Sequence, residues 1–413
     1  MSETNCTVRL PYAERFRTHG YRVNAGQQFE PTVFEEHPEI PETLMTVADM
    51  SLTAYDLELL RTDEPGSPLS GYAYNSEPRR WLVTQQKAAM RIREDRPAVY
   101  ASLAAREVLK QHVLVTPLVQ MDEHLALKLE NRQYQKSFKV RGAGFAIAKL
   151  LTTERPEGLV AVSTGNHAQG VALAAQRHDL EAVIYMPETT PEVKQAAARE
   201  LGAKIELVGE GYSEASTAAD AFLSHNGGYS FIHPFNDPAV IRGQGTIAAE
   251  LLAQTKDIKR IYVGIGGGGA ISGIGQVLKE HNPDIQVIGV QLAGSDAMKQ
   301  SRDAGRLITL DEVNLFSDGT AVKRVGELTL AGVQKYVDRI VTVTDKQLLA
   351  AMAQYHAFAR KSLSEADYVE AAGALPLAAY MQETNKVDGL SVAVATGGNI
   401  REEHKALVDR LVA

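Results

Sequence analysis

RIYVGIGGGGAISGIGQVLKEH, residues Arg260 to His281, reads as a strand, four consecutive glycines (Gly266 to Gly269) and a helix beginning near Ala270. Only glycine lets a backbone turn this tightly while its amides come close to a phosphate, and the start of the following helix adds partial positive charge there. The stretch predicts a phosphate site at a strand end. Two other readings stand beside it. The same residues satisfy a loose G-x-G-x-x-G, but a dinucleotide site calls for an acid at the end of the next strand to hold a ribose hydroxyl, and that strand ends in Gln291. The loop alone is equally compatible with a purely structural turn.

Outward from this unit, from about Leu159 onward, short apolar runs rich in β-formers alternate with helical patterns. LVAVS (Leu159 to Ser163), AVIYMP (Ala182 to Pro187), KIELVG, YSFIHP, RIYVGIG, IQVIGVQ, RIVTVT and SVAVAT read as strands, with helices such as AQGVALAAQRHD, PEVKQAAARELG, SEASTAADAFL and AVIRGQGTIAAELLAQ between them. That rhythm predicts an α/β fold with a parallel sheet covered by helices on both faces. Nearly every Val, Ile and Leu in these runs is expected to be sheet core. The first ninety or so residues differ. They are rich in Pro, Glu, Gly and Tyr, carry turn signals such as EPGSP and keep no sustained period, so an irregular N-terminal extension is expected there.

The chain is long enough for two or more packed units: 413 residues, 44% apolar and 23% charged. It has no run of about 18 uncharged apolar residues, and its N-terminus lacks the apolar centre of a signal peptide, so no membrane partner is expected. Cys6 is the single cysteine, which excludes an intramolecular disulfide and a Cys-based metal or redox pair and makes a cytoplasmic location the default. A formal net charge of -8 speaks against a nucleic-acid partner and for a small-molecule ligand.

Lys139 in LENRQYQKSFKVRGA, read alone, is a solvated surface lysine. Its company changes that. This segment resembles the Schiff-base motif of the fold-type II enzymes that use pyridoxal 5'-phosphate (PLP). STGNHAQGVALAAQ, HPFNDPAVIRGQGTIAAEL, GGGGAISGI, SDGTAVKRVGEL, VEAAGALPLAA and ATGGN resemble further blocks of the threonine and serine dehydratases, in the family's order, from about Leu114 to the C-terminus. The resemblance implies a tryptophan synthase β-like architecture: two three-layer αβα domains with mainly parallel sheets, beside the N-terminal extension. Its boundaries would be an extension over 1–91, a large PLP-binding domain over 92–152 and 236–413, and a small domain over 153–234.

The resemblance also implies residue roles. Lys139 would form the Schiff base with PLP and, once substrate displaces it, move the α-proton. Phe138 would lie against the cofactor ring. Asn166 would hydrogen-bond the phenolic oxygen, and Ser163, Thr164, Gly165, Asn166 and His167 would bind the substrate carboxylate at a strand-to-helix turn. Gly266, Gly267, Gly268, Gly269 and the amide of Ala270 would hold the phosphate. Thr396 would meet the pyridine nitrogen with a neutral hydroxyl, which leaves the ring a moderate electron sink and favours elimination over transamination. Gly319, with Asp318, matches a loop along the cofactor. Glu370 matches a glutamate near the active centre; it reads equally well as an ordinary helix-surface acid.

Several features depart from the family. Gln291 stands where many members carry a metal-binding acid, and a neutral amide is a weak ligand for a hard divalent cation, so no metal is expected there. Thr164 occupies a position that is commonly alanine in dehydratases and serine in serine racemase, which keeps racemisation open as a minor activity. The sequence stops at Ala413, shortly after ATGGN, so control by a following regulatory domain is not expected. The resemblance implies a homodimer acting on an amino acid by β-elimination, giving a 2-oxo acid and ammonia. The alternatives are β-replacement by a second nucleophile, racemisation, and a non-catalytic amino-acid-binding relative. STGNHAQG looks like the dehydratase form rather than the sulfhydrylase form, and a pure binding module has no need of a Schiff-base lysine.

Overall fold

The computed structural model describes residues 96–363, 367–385 and 387–412; the extension expected over residues 1–91 lies outside the described residues. Chain order is α1 (Pro97–Leu109), β1 (Leu118–Gln120), β2 (Leu125–Lys128), α2 (Lys139–Leu150), β3 (Gly158–Val162), α3 (Asn166–Arg177), β4 (Glu181–Met186), α4 (Glu192–Arg199), β5 (Lys204–Leu207), α5 (Tyr212–His225) and β6 (Tyr229–Phe231). It continues with α6 (Pro238–Gln254), β7 (Ile258–Gly264), α7 (Gly269–His281), β8 (Gln286–Leu292), α8 (Ala297–Ala304), α9 (Glu327–Tyr336), β9 (Arg339–Val343), α10 (Asp345–Ser362), α11 (Ala371–Met381), β10 (Leu390–Val394) and α12 (Glu402–Val412).

Within the compact unit Val108–Ala413 the strands form two sheets. One is six-stranded, in the order β1-β2-β10-β7-β8-β9, and the other four-stranded, β5-β4-β3-β6. All described pairings are parallel except β1 with β2. Successive residues of a strand face opposite sides, and the packing follows that alternation. In the four-stranded sheet Leu159 and Ala161 pack with the small residues of α2 and α3, while Val160 and Val162 face Ala215 and Ala219 of α5. Helices therefore cover both faces of that sheet. In the larger sheet Tyr262, Ile288, Val290 and Ala393 join a core with α10 and α11.

Local sequence explains the helix starts. Asp237 caps α6, its carboxylate accepting from the amides of Ala239 at 2.7 Å and Val240 at 2.9 Å, with Pro238 in the first turn. Thr344 and Gln347 form a capping box at α10. Where α6 crosses α7, Gly273 allows backbone contact: a Cβ there would stand 2.1 Å from the carbonyl oxygen of Ile241.

A buried charge cluster ties β2, α2 and α6 together. Arg141 Nε donates to Glu130 Oε2 at 2.7 Å and its Nη1 to Glu250 Oε1 at 2.6 Å. Lys128 Nζ donates to Glu250 Oε2 at 2.6 Å. Two cations and two carboxylates cancel, and all four side chains are buried. Burial of charge is tolerated here because every one of these groups is paired.

Candidate active site

Three strand ends deliver most of the candidate residues. β3 ends at Val162 and runs into Ser163-Thr164-Gly165-Asn166-His167, where α3 begins at Asn166. β7 ends at Gly264 and leads to the glycine run, with α7 starting at Gly269. β10 ends at Val394, just before Thr396. Carboxyl ends of parallel strands are where open α/β sheets bind ligands.

Lys139 is the first residue of α2. The Phe138 amide donates to the Thr396 carbonyl at 3.2 Å, and Ser137 forms an isolated bridge with Gly397, so the lysine's backbone is tied to the end of β10. Its Nζ donates to the carbonyl of Pro234 at 3.0 Å and lies 5.4 Å from the centre of the Phe138 ring. Among the described residues it has no carboxylate at ion-pair distance. Burial lowers its pKa to about 8, with the Glu370 charge opposing the shift.

Pro234 also leads to the glycine run. The next residue, Phe235, packs on the loop so closely that a Cβ at Gly267 would fall 2.2 Å from its ring. Gly268 has φ +92°, in the left-handed region that favours glycine. Among the described residues the amides of Gly266 to Ala270 engage no main-chain acceptor outside helix α7. Five main-chain amides thus lie at or just before the N-terminus of α7.

Glu370, at the N-cap of α11, accepts from Asn166 Nδ2 at 2.8 Å. Asn166 Oδ1 accepts from Asn399 Nδ2 at 2.7 Å, and Asn399 also donates to the Gln135 carbonyl at 2.9 Å. Glu370 therefore faces the turn at the start of α3 through Asn166. Burial, reinforced by the charge of Asp318, pushes its pKa up to about 8, against the Asn166 hydrogen bond. One N–H of the Asn166 amide is left to donate. Gly319 lies next to this group, since a Cβ on it would sit 3.8 Å from Glu370 Oε1. Asp318 turns outward, accepting from Lys194 Nζ at 2.6 Å.

His167 is buried, and its Nε2 stands 2.8 Å from the Ile232 carbonyl, so that nitrogen carries the proton and Nδ1 is bare and unpartnered. Burial and the nearby Lys139 lower its pKa to about 3, which makes it a poor proton acceptor. Ser163 Oγ accepts from the Gly165 amide at 3.3 Å, and Thr164 beside it is half-buried. Thr396 is buried, and its hydroxyl has no hydrogen-bond partner among the described residues.

Residues 109–397 match the profile of the pyridoxal-phosphate dependent enzymes. The chain belongs to that family. Within the family, it is 41% identical over 296 residues to a biosynthetic L-threonine dehydratase of Pasteurella multocida, covering 69% of this chain and 56% of that one. It is 42% identical over 288 residues to an L-threonine ammonia-lyase of Thermotoga maritima, covering 69% of each. The match thus spans little more than half of the Pasteurella enzyme. The processed form of threonine deaminase isoform 2 from Solanum lycopersicum superposes with a TM-score of 0.70 at 34% identity, covering 77% of this chain and 88% of that one. The architecture is that of the fold-type II members of the PLP family.

The residues fit the family's cofactor. The amides of the glycine run suit a phosphate dianion, the lysine amine, bonded among the described residues to a carbonyl alone, suits an aldehyde, and the spare Thr396 hydroxyl suits a ring nitrogen. Gln291 in this family member is fully occupied by backbone: Nε2 reaches the carbonyls of Ile265 at 3.4 Å and Ser295 at 3.2 Å, and Oε1 accepts from the Lys299 amide at 2.8 Å. Pro234, Phe235 and Asn399 were not singled out from sequence. Each lies inside a quoted block, HPFND or ATGGN, and only the three-dimensional contacts give it a part.

Proposed function

We propose that this protein is an ammonia-lyase that removes water from a β-hydroxy amino acid, threonine or serine, releasing a 2-oxo acid and ammonia. The observation that carries it is a half-buried lysine whose amine has, among the described residues, no carboxylate partner and is held by one carbonyl next to the residue that packs on the glycine run. The names of the Pasteurella and Thermotoga relatives support the same reaction.

Lys139 would hold PLP through Nζ, the amides of Gly266 to Ala270 its phosphate, Asn166 its phenolic oxygen and Thr396 its ring nitrogen, with Phe138 and Gly319 against the ring. Bound there, PLP supplies a sink for the electron pair left when the α-proton departs. The turn Ser163 to His167 binds the substrate carboxylate through amides and hydroxyls at the start of α3. Lys139 Nζ, depressed toward about 8, accepts the α-proton in its neutral form and can return it. The β-hydroxyl leaves with a proton as water, and hydrolysis of the remaining unsaturated amine yields the 2-oxo acid and ammonium. Thr396 would meet the ring nitrogen with a neutral hydroxyl, which favours elimination.

This reading includes a large domain over 92–152 and 236–413 and a small one over 153–234 that closes on substrate to exclude water. It also includes a cytoplasmic homodimer, which sedimentation analysis would test. The decisive experiment is Lys139→Ala: loss of the visible cofactor band together with turnover is expected, and retention of the band would refute the assignment. Ammonia and 2-oxo acid release from a panel of β-substituted amino acids, with and without added thiol, separates elimination from β-replacement. Loss of optical rotation without 2-oxo acid would indicate racemisation instead.

A further inference from the structure

His233 lies between β6 and α6 and plays no part in the chemistry above. Its Nδ1 accepts two backbone hydrogen bonds, from the amides of Phe235 at 3.1 Å and Asn236 at 2.8 Å. An amide can only donate, so Nδ1 carries no proton. The proton of the neutral ring must therefore sit on Nε2. That nitrogen has no hydrogen-bond partner among the described residues, and the ring keeps some surface open.

The residues on either side of His233 hold groups of the site. Pro234, the next residue, supplies the carbonyl that holds Lys139 Nζ at 3.0 Å. Phe235 stacks edge-on to the His233 ring, with centroids 4.7 Å apart, and presses on the glycine run. On the other side, the Ile232 carbonyl holds His167 of the carboxylate turn at 2.8 Å. Burial and Lys139 lower the His233 pKa to about 4, so the ring stays neutral through the physiological range.

We infer that His233 is an anion-binding residue of this site, its turn-fixed Nε2–H donating to an anionic oxygen. The inference rests on the proposed function, which brings two anions into the cleft: the cofactor phosphate and the amino-acid carboxylate. A neutral donor suits the place. It holds an oxyanion without adding positive charge beside Lys139, which would drive the amine's pKa lower still.

The test separates the two duties of the ring. In His233→Asn the side-chain oxygen can still accept the amides two and three residues on, as asparagine does in turns, while the distal donor is gone. An unchanged melting temperature is expected, with a loss of about tenfold to a hundredfold in binding one anion, as for a hydrogen bond to a charged group. A raised KM for the amino acid with unchanged cofactor titration assigns the carboxylate; weaker cofactor uptake with unchanged KM in the saturated enzyme assigns the phosphate. Wild-type values for both would overturn the inference. If the variant does not fold, nitrogen NMR of the imidazole in the wild-type protein decides, because a proton on Nδ1, or no change at Nε2–H on adding PLP and then a non-reactive amino acid, also overturns it. Absence of a visible band in the wild-type protein would sink the cofactor reading itself, and the Nδ1 assignment can still be read independently.

Discussion

Lys128, ending β2, is buried and Lys139, opening α2, is half-buried with its amine turned into the protein, yet their surroundings are opposite. The three N–H groups of Lys128 each have an acceptor: the Thr116 carbonyl at 2.8 Å, Glu250 at 2.6 Å and Gln254 at 3.0 Å. Lys139 has a single carbonyl at 3.0 Å. Burial lowers the pKa of both, but around Lys128 two glutamates oppose it, whereas around Lys139 only the charge of Glu370 does. Depth alone does not make a lysine reactive. What counts is whether its protons are already committed: a saturated ammonium is a structural strut, and an amine with free valence is a nucleophile.

Exchanging each lysine for methionine breaks this comparison most sharply. Lys139→Met is expected to lower turnover by at least about a thousandfold, with a chemical denaturation midpoint equal to or above that of the parent, since a desolvated amine is removed. A large loss of stability would show that Lys139 is a strut too. Lys128→Met should do the reverse. It leaves Glu250 with Arg141 as its one cation among the described residues and should cost about 3 kcal/mol in urea unfolding, while kcat of the folded fraction stays near the parent value.

A smaller effect concerns pH. The folded pKa of Lys139 is lowered from 10.5 to about 8, so its neutral fraction rises through pH 8, well before that of an ordinary lysine. Cofactor capture by the stripped protein, followed by growth of visible absorbance, should increase up to about pH 8 and then level off. At neutral pH its neutral fraction should be roughly three-hundredfold that of a solvated lysine, with capture faster in proportion. The same shift adds stability as pH climbs from about 8 to 10.5, because the unfolded chain then holds the proton that the native one has shed. A midpoint near 10.5 would contradict the desolvated environment. The least effect is expected at the surface: Glu192→Gln removes an exposed pair with Arg199 and should change stability by less than about 1 kcal/mol.

The parallel architecture was legible because each unit carries its own signature. AVIYMP gives β4 and KIELVG gives β5, and both are flanked by helices with clear periodicity. The glycine run was legible too, since no other residue takes φ +92° against a neighbour as close as Met298. The short antiparallel β1–β2 edge was not expected. Its four-residue strand LALK is buried at every position and has neither length nor alternation to announce it. Nor was the Lys128–Glu130–Arg141–Glu250 cluster visible. Charged residues on strands and helices read as solvated until Glu250, more than a hundred positions from the other three, is brought to them. Glu370 could have gone either way on sequence. The contact from Asn166 that settles its environment spans β3's turn and the start of α11, a relation that no local pattern encodes. His233 went unnoticed for a similar reason, because a histidine in a loop gives no hint of which nitrogen the turn has claimed.

The bridge between Ser137 and Gly397 has a practical consequence for engineering. It joins the segment that presents the amine to the segment that presents the Thr396 hydroxyl through main chain alone, so the spacing of these two chemical groups is independent of the side chains on the four-stranded sheet. Libraries that randomise Thr164 alone can therefore search for new reactants while the spacing of Lys139 and Thr396 is kept.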